Sequence, residues 1–117
     1  NHDDRNYYTT KTINIKNNIN LNSKLFTPIG GALLFEYYNK NIFIGSVEGN
    51  SHTIDGLFVI NERNAGLFGV SKGTDYRNLI FKNTTLIANY GSIGTVVASQ
   101  QNNATFEDIT INPISSV

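Results

Sequence analysis

Among the side chains with acid, base or ligand chemistry, those that invite a reading are His52, in Gly49-Asn50-Ser51-His52-Thr53, the carboxylates Glu48, Asp55, Asp75, Glu107 and Asp108, and the base Arg77. Glycoside cleavage needs two carboxylates at a defined separation, one as proton donor and one to activate water or attack. A repeated pattern, given below, aligns Asp55, Arg77 and Glu107 in one outward column and sets the two acids two layers apart, about 9.6 Å. Arg77 between them favours ionisation of both, which removes the proton donor. The trio therefore reads as a solvated charge ladder. His52 has no cysteine to join it, no carboxylate cluster beside it in sequence, and only His2 as a second histidine, so it reads as a turn-stabilising residue. Gly45-x-x-x-Gly49 and Gly66-x-x-Gly69 lack the Lys-Ser/Thr pair and the strand-to-helix setting of phosphate loops. No residue is assigned as catalytic, cofactor-binding or metal-ligating. Tyr37, Tyr38, Tyr90 and an outward Phe58 are the candidates for ligand contact, because exposed rings stack on sugars and anchor protein partners.

The elements that position these residues repeat. Ile54-Asp55-Gly56-Leu57-Phe58-Val59, Tyr76-Arg77-Asn78-Leu79-Ile80-Phe81 and Phe106-Glu107-Asp108-Ile109-Thr110-Ile111 all follow apolar-x-x-apolar-x-apolar, the step from Tyr76 to Phe106 being longer than that from Ile54 to Tyr76. Repeats at such spacings are single supersecondary units that bury their apolar faces by stacking on their neighbours. Ala65-Gly66-Leu67-Phe68-Gly69-Val70-Ser71 and Ile93-Gly94-Thr95-Val96-Val97-Ala98-Ser99 form a second column, and polar bends at Lys72 to Asp75 and Gln100 to Asn103 join each to the next strand. The expected fold is all-β, a parallel β-solenoid of about four to five coils, right-handed by the general rule for parallel crossovers. Its interior holds Leu57, Leu79 and Ile109, followed by Val59, Phe81 and Ile111. Gly56, Asn78 and Asp108 form a turn column, being residues that accept positive φ or satisfy their own backbone.

Composition narrows the function classes. In 117 residues, nine Lys and Arg balance nine Asp and Glu, so the chain lacks the net positive charge that nucleic acid or an anionic membrane would favour. Cysteine, methionine and tryptophan are absent, which removes disulfides and thiolate metal sites and leaves stability to packing and the hydrogen-bond ladder. The longest apolar runs, such as Ala32 to Phe35, have four residues, far below the ~18 that span a bilayer, so no membrane insertion is expected. The missing initiator methionine suggests a mature or excised segment. Asn83-Thr84-Thr85 and Asn103-Ala104-Thr105 match the glycosylation sequon, but read as chance matches.

Along the chain, residues 1–41 form a lead-in and cap-like section and residues 42–117 the repeats, all in one domain. Asn1 to Thr10 is a polar arm, after which Thr12-Ile13-Asn14-Ile15 and Asn18-Ile19-Asn20-Leu21 alternate at period two, as half-buried strands do. Ala32-Leu33-Leu34-Phe35-Glu36-Tyr37-Tyr38 suits a short helix or, by its aromatic content, a strand. Leu33, Leu34 and Phe35 are suited to covering the first coil, and nothing comparable follows Ile111. The last coil is therefore expected to be continued by further repeats in the native protein or covered by self-association.

The run Phe43-Ile44-Gly45-Ser46-Val47-Glu48-Gly49-Asn50-Ser51-His52-Thr53-Ile54-Asp55-Gly56-Leu57, then Ala65-Gly66-Leu67-Phe68-Gly69 and Asn78-Leu79, with Pro28-Ile29-Gly30 upstream, resembles the GLUG-type repeats of bacterial surface proteins. The likeness covers Asn18 to Ile111. It departs at Ile93-Gly94-Thr95-Val96-Val97, which lacks the second glycine seen at Gly69, and at Glu48, where Asp is usual. Such modules are similar to parts of secreted adhesins, autotransporter passengers and the stalks of immunoglobulin-A-specific metallopeptidases. The resemblance implies a β-solenoid in a secreted or cell-surface protein, as a fragment of a larger chain, acting as a noncatalytic stalk, adhesin or display element. The alternatives are a tip domain that binds a host glycan or protein receptor, and a carbohydrate-active β-helix enzyme.

Overall fold

The computed structural model describes residues 12–30, 42–61 and 63–112. Among them every regular element is a strand: β1 (Thr12–Asn14), β2 (Ile19–Asn20), β3 (Ser46–Glu48), β4 (Thr53–Asp55), β5 (Phe58–Asn61), β6 (Phe68–Ser71), β7 (Asp75–Lys82), β8 (Thr85–Ala88), β9 (Val97–Gln100) and β10 (Thr105–Ile111). All their pairings are parallel. Parallel neighbours need a long connection between them, and here the chain visits two further strand pairs before it returns to the first sheet.

In that first sheet β1 lies on β3 and β2 on β4, both β3 and β4 lie on β7, and β10 pairs with the other side of β7. The second sheet is β5 on β8 and the third is β6 on β9. Single bridges from Leu25 to Phe58 and from Ile29 to Phe68 add the first pass of the chain to both. Residues 12–30 are thus in register with the strands that follow them. The expected boundary at residue 41 and the stretch Ala32 to Tyr38 lie outside the described residues.

The interior is built from side chains of all three sheets. Val47, Ile54, Leu57, Val59, Phe68, Tyr76, Leu79 and Phe81 are buried. Phe43 meets Phe68 at 4.5 Å between ring centroids, Phe68 meets Tyr76 at 5.9 Å, and Tyr76 stacks on Phe106 at 4.8 Å with 9° between planes. The chain bends through residues with positive φ, and most of those that are not glycine are asparagine: Asn22, Asn50, Asn64, Asn78 and Asn83 all lie between 53° and 57°. Asparagine tolerates this region because its side chain hydrogen-bonds locally.

The register corrects the expected columns. Tyr76 pairs with Val47 of the preceding pass and with Phe106 of the following one, whereas Ile54 pairs with Phe81. The alignment of Ile54 with Tyr76 is therefore a slip. From Val47 to Ile54 the chain takes a turn through Asn50 and Ser51, both at positive φ, while β7 covers the same span in fewer residues. Gly56, at φ 82°, then carries the chain out of the first sheet, donating to Lys82 O at 2.9 Å. Leu57 and Val59 consequently belong to the second sheet, where Val59 pairs with Leu86. Leu79 with Ile109 and Phe81 with Ile111 stack as expected; Leu57 does not join the first pair, nor Val59 the second.

The turn column divides in the same way. Gly56, Asn78 and Asp108 all have positive φ, as their types imply, but Gly56 lies opposite Asn83, at the next bend, and not in the column of the other two. The pass that begins at β7 also holds three strands, β7, β8 and β9, rather than two, because Thr85 to Ala88 forms β8. The glycine column begins as read, since Ala65 bridges Ile93 and a Cβ on Gly66 would collide with the carbonyl oxygen of Gly94, but past it the register shifts by one residue, Phe68 standing opposite Val97 and Ser71 opposite Gln100 rather than Ser99. Only glycine permits that backbone approach.

Candidate functional site

The outward charge ladder exists, with different members. Arg77 pairs in register with Glu48 and Glu107, and its Nε lies 3.5 Å from Glu107 Oε1. Asp55 stands instead opposite Lys82 and accepts a hydrogen bond from Asn83 Nδ2 at 2.8 Å. The expected Asp55–Arg77–Glu107 column is therefore replaced by Glu48–Arg77–Glu107, because Ile54 aligns with Phe81. The acid–base–acid alternation survives the change.

Glu48 is held by its turn. Its Oε2 accepts from Asn78 Nδ2 and from the Asn50 backbone N–H, each at 2.8 Å. These two bonds, the Asn78 one foremost, with a smaller contribution from Arg77, hold the carboxyl below its ordinary range against the opposing effect of desolvation. An acid fixed as an acceptor organises a bend and is a poor proton donor. His52 sits in the same turn: its backbone N–H donates to Gly49 O at 2.9 Å and its Nδ1 lies 3.3 Å from Asn18 Oδ1, which also accepts from Thr53 N–H. The turn thereby bridges β2 and β4. Among the described residues, no group of three or more His, Asp or Glu is placed to hold a metal ion.

A second polar cluster is buried, and nothing in the residue pattern announced it, since Tyr76 occupies an apolar slot of the repeat. Gly73 N–H donates to Ser71 Oγ at 2.9 Å, the Ser71 hydroxyl bonds the Tyr76 hydroxyl, Tyr76 donates to Gln100 Oε1 at 2.9 Å, and Gln100 Nε2 donates to Gly73 O at 2.8 Å. Since each hydroxyl has one proton, Ser71 is the donor to Tyr76. The circuit runs in one direction and leaves no member unpaired, the arrangement in which buried hydrogen bonds reinforce each other. It fastens the bend after β6 to the end of β9. Burial raises the Tyr76 phenol above its usual pKa, against the lowering effect of the Ser71 and Gly73 bonds, so neutral pH leaves it protonated.

Of the aromatic candidates, Tyr37 and Tyr38 lie outside the described residues. Phe58 is part-exposed at the start of β5, between the buried Leu57 and Val59. Tyr90 follows the end of β8 and is 48% exposed. The fold therefore sets Phe58 and Tyr90 at opposite ends of the β5–β8 pair and does not join them in one surface. Tyr90 has a different companion, Arg63, whose guanidinium carbon lies 4.8 Å from the ring centroid. Asn61 Nδ2 bonds Arg63 O, which fixes the bend that presents the arginine. The spacing between Arg63 and Tyr90 gave no sign of this pairing; it follows from the alignment of Asn61 with Ala88. No family model, no curated protein and no solved structure matches the chain.

Proposed function

We propose that the chain is a β-solenoid of GLUG-type repeats and serves as a noncatalytic stalk, adhesin or display module of a secreted or cell-surface protein. The observation that carries the reading is the register: Ile13, Val47, Tyr76 and Phe106 occupy one column over four successive passes of the chain. A stack of this kind fixes the spacing of whatever projects from its bends, because each added layer advances about 4.8 Å. Its polar residues are spent on the stack itself. Glu48, Asn78, His52 and Asn18 build turns, and Ser71, Tyr76 and Gln100 close a bend. Secretion or surface display rests on the resemblance to bacterial surface repeats.

The test is a panel of polysaccharide lyase and hydrolase assays on the purified chain, beside an array of host glycans and receptor ectodomains. The expected result is no turnover of any polysaccharide; turnover abolished by Glu107→Gln would overturn the noncatalytic reading. A second reading, a glycan- or receptor-binding surface, is favoured by the exposed Tyr90 ring with Arg63 against it. Saturable binding on the array that is lost in Tyr90→Ala and retained in Phe58→Ala would establish it.

A further inference from the structure

Both outermost passes of the first sheet have a free edge among the described residues: β1 and β2 pair only with β3 and β4, and β10 only with β7. Five of the nine exposed large apolar side chains among the described residues lie in these two passes. Ile19, Leu25 and Ile29 belong to the first pass, and Phe106 and Ile111, 48% and 49% exposed, to the last. The charges also separate. Residues 12–30 contain Lys16 and Lys24 and no acid, while residues 105–112 contain Glu107 and Asp108 and no base.

We infer that copies of this chain stack head to tail, the β1–β2 edge of one copy pairing in parallel with β10 of the next. The register within the protein dictates the contacts between copies. Ile13 occupies the column of Phe106, Asn14 that of Glu107, Ile19 that of Ile111, and Asn20 that of Asn112. Apolar thus meets apolar in the two inner columns, and no like charges oppose each other. Lys16, exposed and just beyond Asn14, comes within reach of Glu107 and Asp108. The span from Ile13 to Ile19 is slightly longer than that from Phe106 to Ile111, and the protein already accommodates a larger mismatch where β3 and β4 lie on β7. Charge selects the direction: two last passes face to face would oppose acid with acid, and two first passes base with base. A contact between unlike surfaces that repeats along the stacking direction, with no rotation that closes a ring, gives an open filament. Main-chain bonding to a free edge gives affinity and the side-chain columns give register. The inference stands on the edges and not on the display function proposed above.

Sedimentation velocity of the whole chain over a wide concentration range, at low and high salt, is the test. The mass average should rise with concentration and fall severalfold in high salt. Ile19→Asp blocks the first edge and Ile111→Asp the last, and the two blocked edges repel each other because both residues occupy one column. Each variant alone should remain a monomer, and an equimolar mixture should form a one-to-one pair and grow no further. Should Ile111→Asp fail to melt cooperatively, Ile111→Pro replaces it: the Asn112 N–H bonds Phe81 O at 3.0 Å, so alternation puts the Ile111 N–H on the free side, where proline leaves β7 untouched. A wild-type monomer at every concentration overturns the inference. So does self-association of Ile19→Asp alone, which would mean that last passes meet face to face, and so does a mixture of folded blocked variants that forms no pair.

Discussion

Replacing Tyr76 by phenylalanine removes one oxygen from the buried circuit and keeps the ring that stacks on Phe106. Two groups lose their partner, the Ser71 hydroxyl and Gln100 Oε1. Gln100 is partly exposed, and water can take the place of the phenol there. Ser71 has no exposure, so its hydroxyl is left as an unsatisfied donor, at a cost of about 1 to 3 kcal/mol. A chain of this length has an unfolding entropy of about 0.25 kcal/mol/K at its midpoint, so the melting temperature should fall by roughly 4 to 12 °C. Tyr90→Phe, on the surface, is the control and should move it by less than about 2 °C.

The alkaline side of the stability profile gives a second readout. Burial raises the folded-state pKa of Tyr76 above that of the unfolded chain. Its contribution is therefore complete below the ordinary tyrosine value of about 10 and is lost as pH rises through the higher folded value. Chemical denaturation followed by circular dichroism across that range should show a shallower alkaline decline in Tyr76→Phe than in the wild type. If the variant melts within about 2 °C of the wild type and declines as steeply, the circuit does not hold the bend.

Leu79 is fully buried against Ile109; Leu79→Ala should cost about 2 to 5 kcal/mol in urea unfolding, and Leu79→Asp should leave no cooperative transition, so an unchanged midpoint in either would contradict the core assignment. Arg77→Glu makes the Glu48–Arg77–Glu107 column wholly acidic, yet exposed pairs contribute only about 0.2 to 1 kcal/mol each, so a loss of that size that fades in high salt is expected. A double-mutant cycle should find coupling of Arg77 to Glu107 and none to Asp55; the reverse result would restore the discarded register. The Glu48 carboxyl is depressed mainly by Asn78, so its stabilisation is present above the unfolded carboxylate pKa and lost as pH falls through the lower folded one. Asn78→Ala should flatten that acid limb, and a limb identical to the wild type would mean the turn does not depend on the bond.

Much of the architecture was legible in residue types because each type answers a local demand. Alternation at Thr12 to Asn14 and at Ile19 marked β1 and β2, the glycines at 66 and 94 marked the close backbone column, and Gly56, Asn78 and Asp108 were recognisable as positive-φ positions. The alignment between passes was harder to read, for a physical reason. The pattern apolar-x-x-apolar-x-apolar specifies which residues face inward, but an inward triplet arises equally from one straight strand, as in Tyr76-x-x-Leu79-x-Phe81, and from a strand end, a corner and the next strand, as in Ile54-x-x-Leu57-x-Val59. Only the corner at Gly56, the counterpart of Asn83, separates the two. Both corners were written in residues that turns favour, but a turn-favouring residue inside a strand, such as Asn78, looks the same.

The side chains that matter for stability, and those available for recognition, were hidden for opposite reasons. Tyr76 fills an apolar slot, and its hydroxyl partners, Ser71 before it and Gln100 well after it, are brought together only by the stacking of passes. Arg63 and Tyr90 sit in successive bends, where length varies most and no repeat pattern constrains type. A stacked fold thus divides its sequence into two classes. Residues in the columns answer to the neighbouring passes, and their substitution should register in melting temperature. Exposed side chains at the bends that hold no turn, unlike Glu48 and Asn78, answer to solvent or a partner, and their substitution should register in binding. Tyr76→Phe and Tyr90→Ala fall on opposite sides of that division, so measuring both quantities on both variants tests it: a stability loss in Tyr90→Ala as large as that in Tyr76→Phe would show that the bends carry structural weight and are not free to carry recognition.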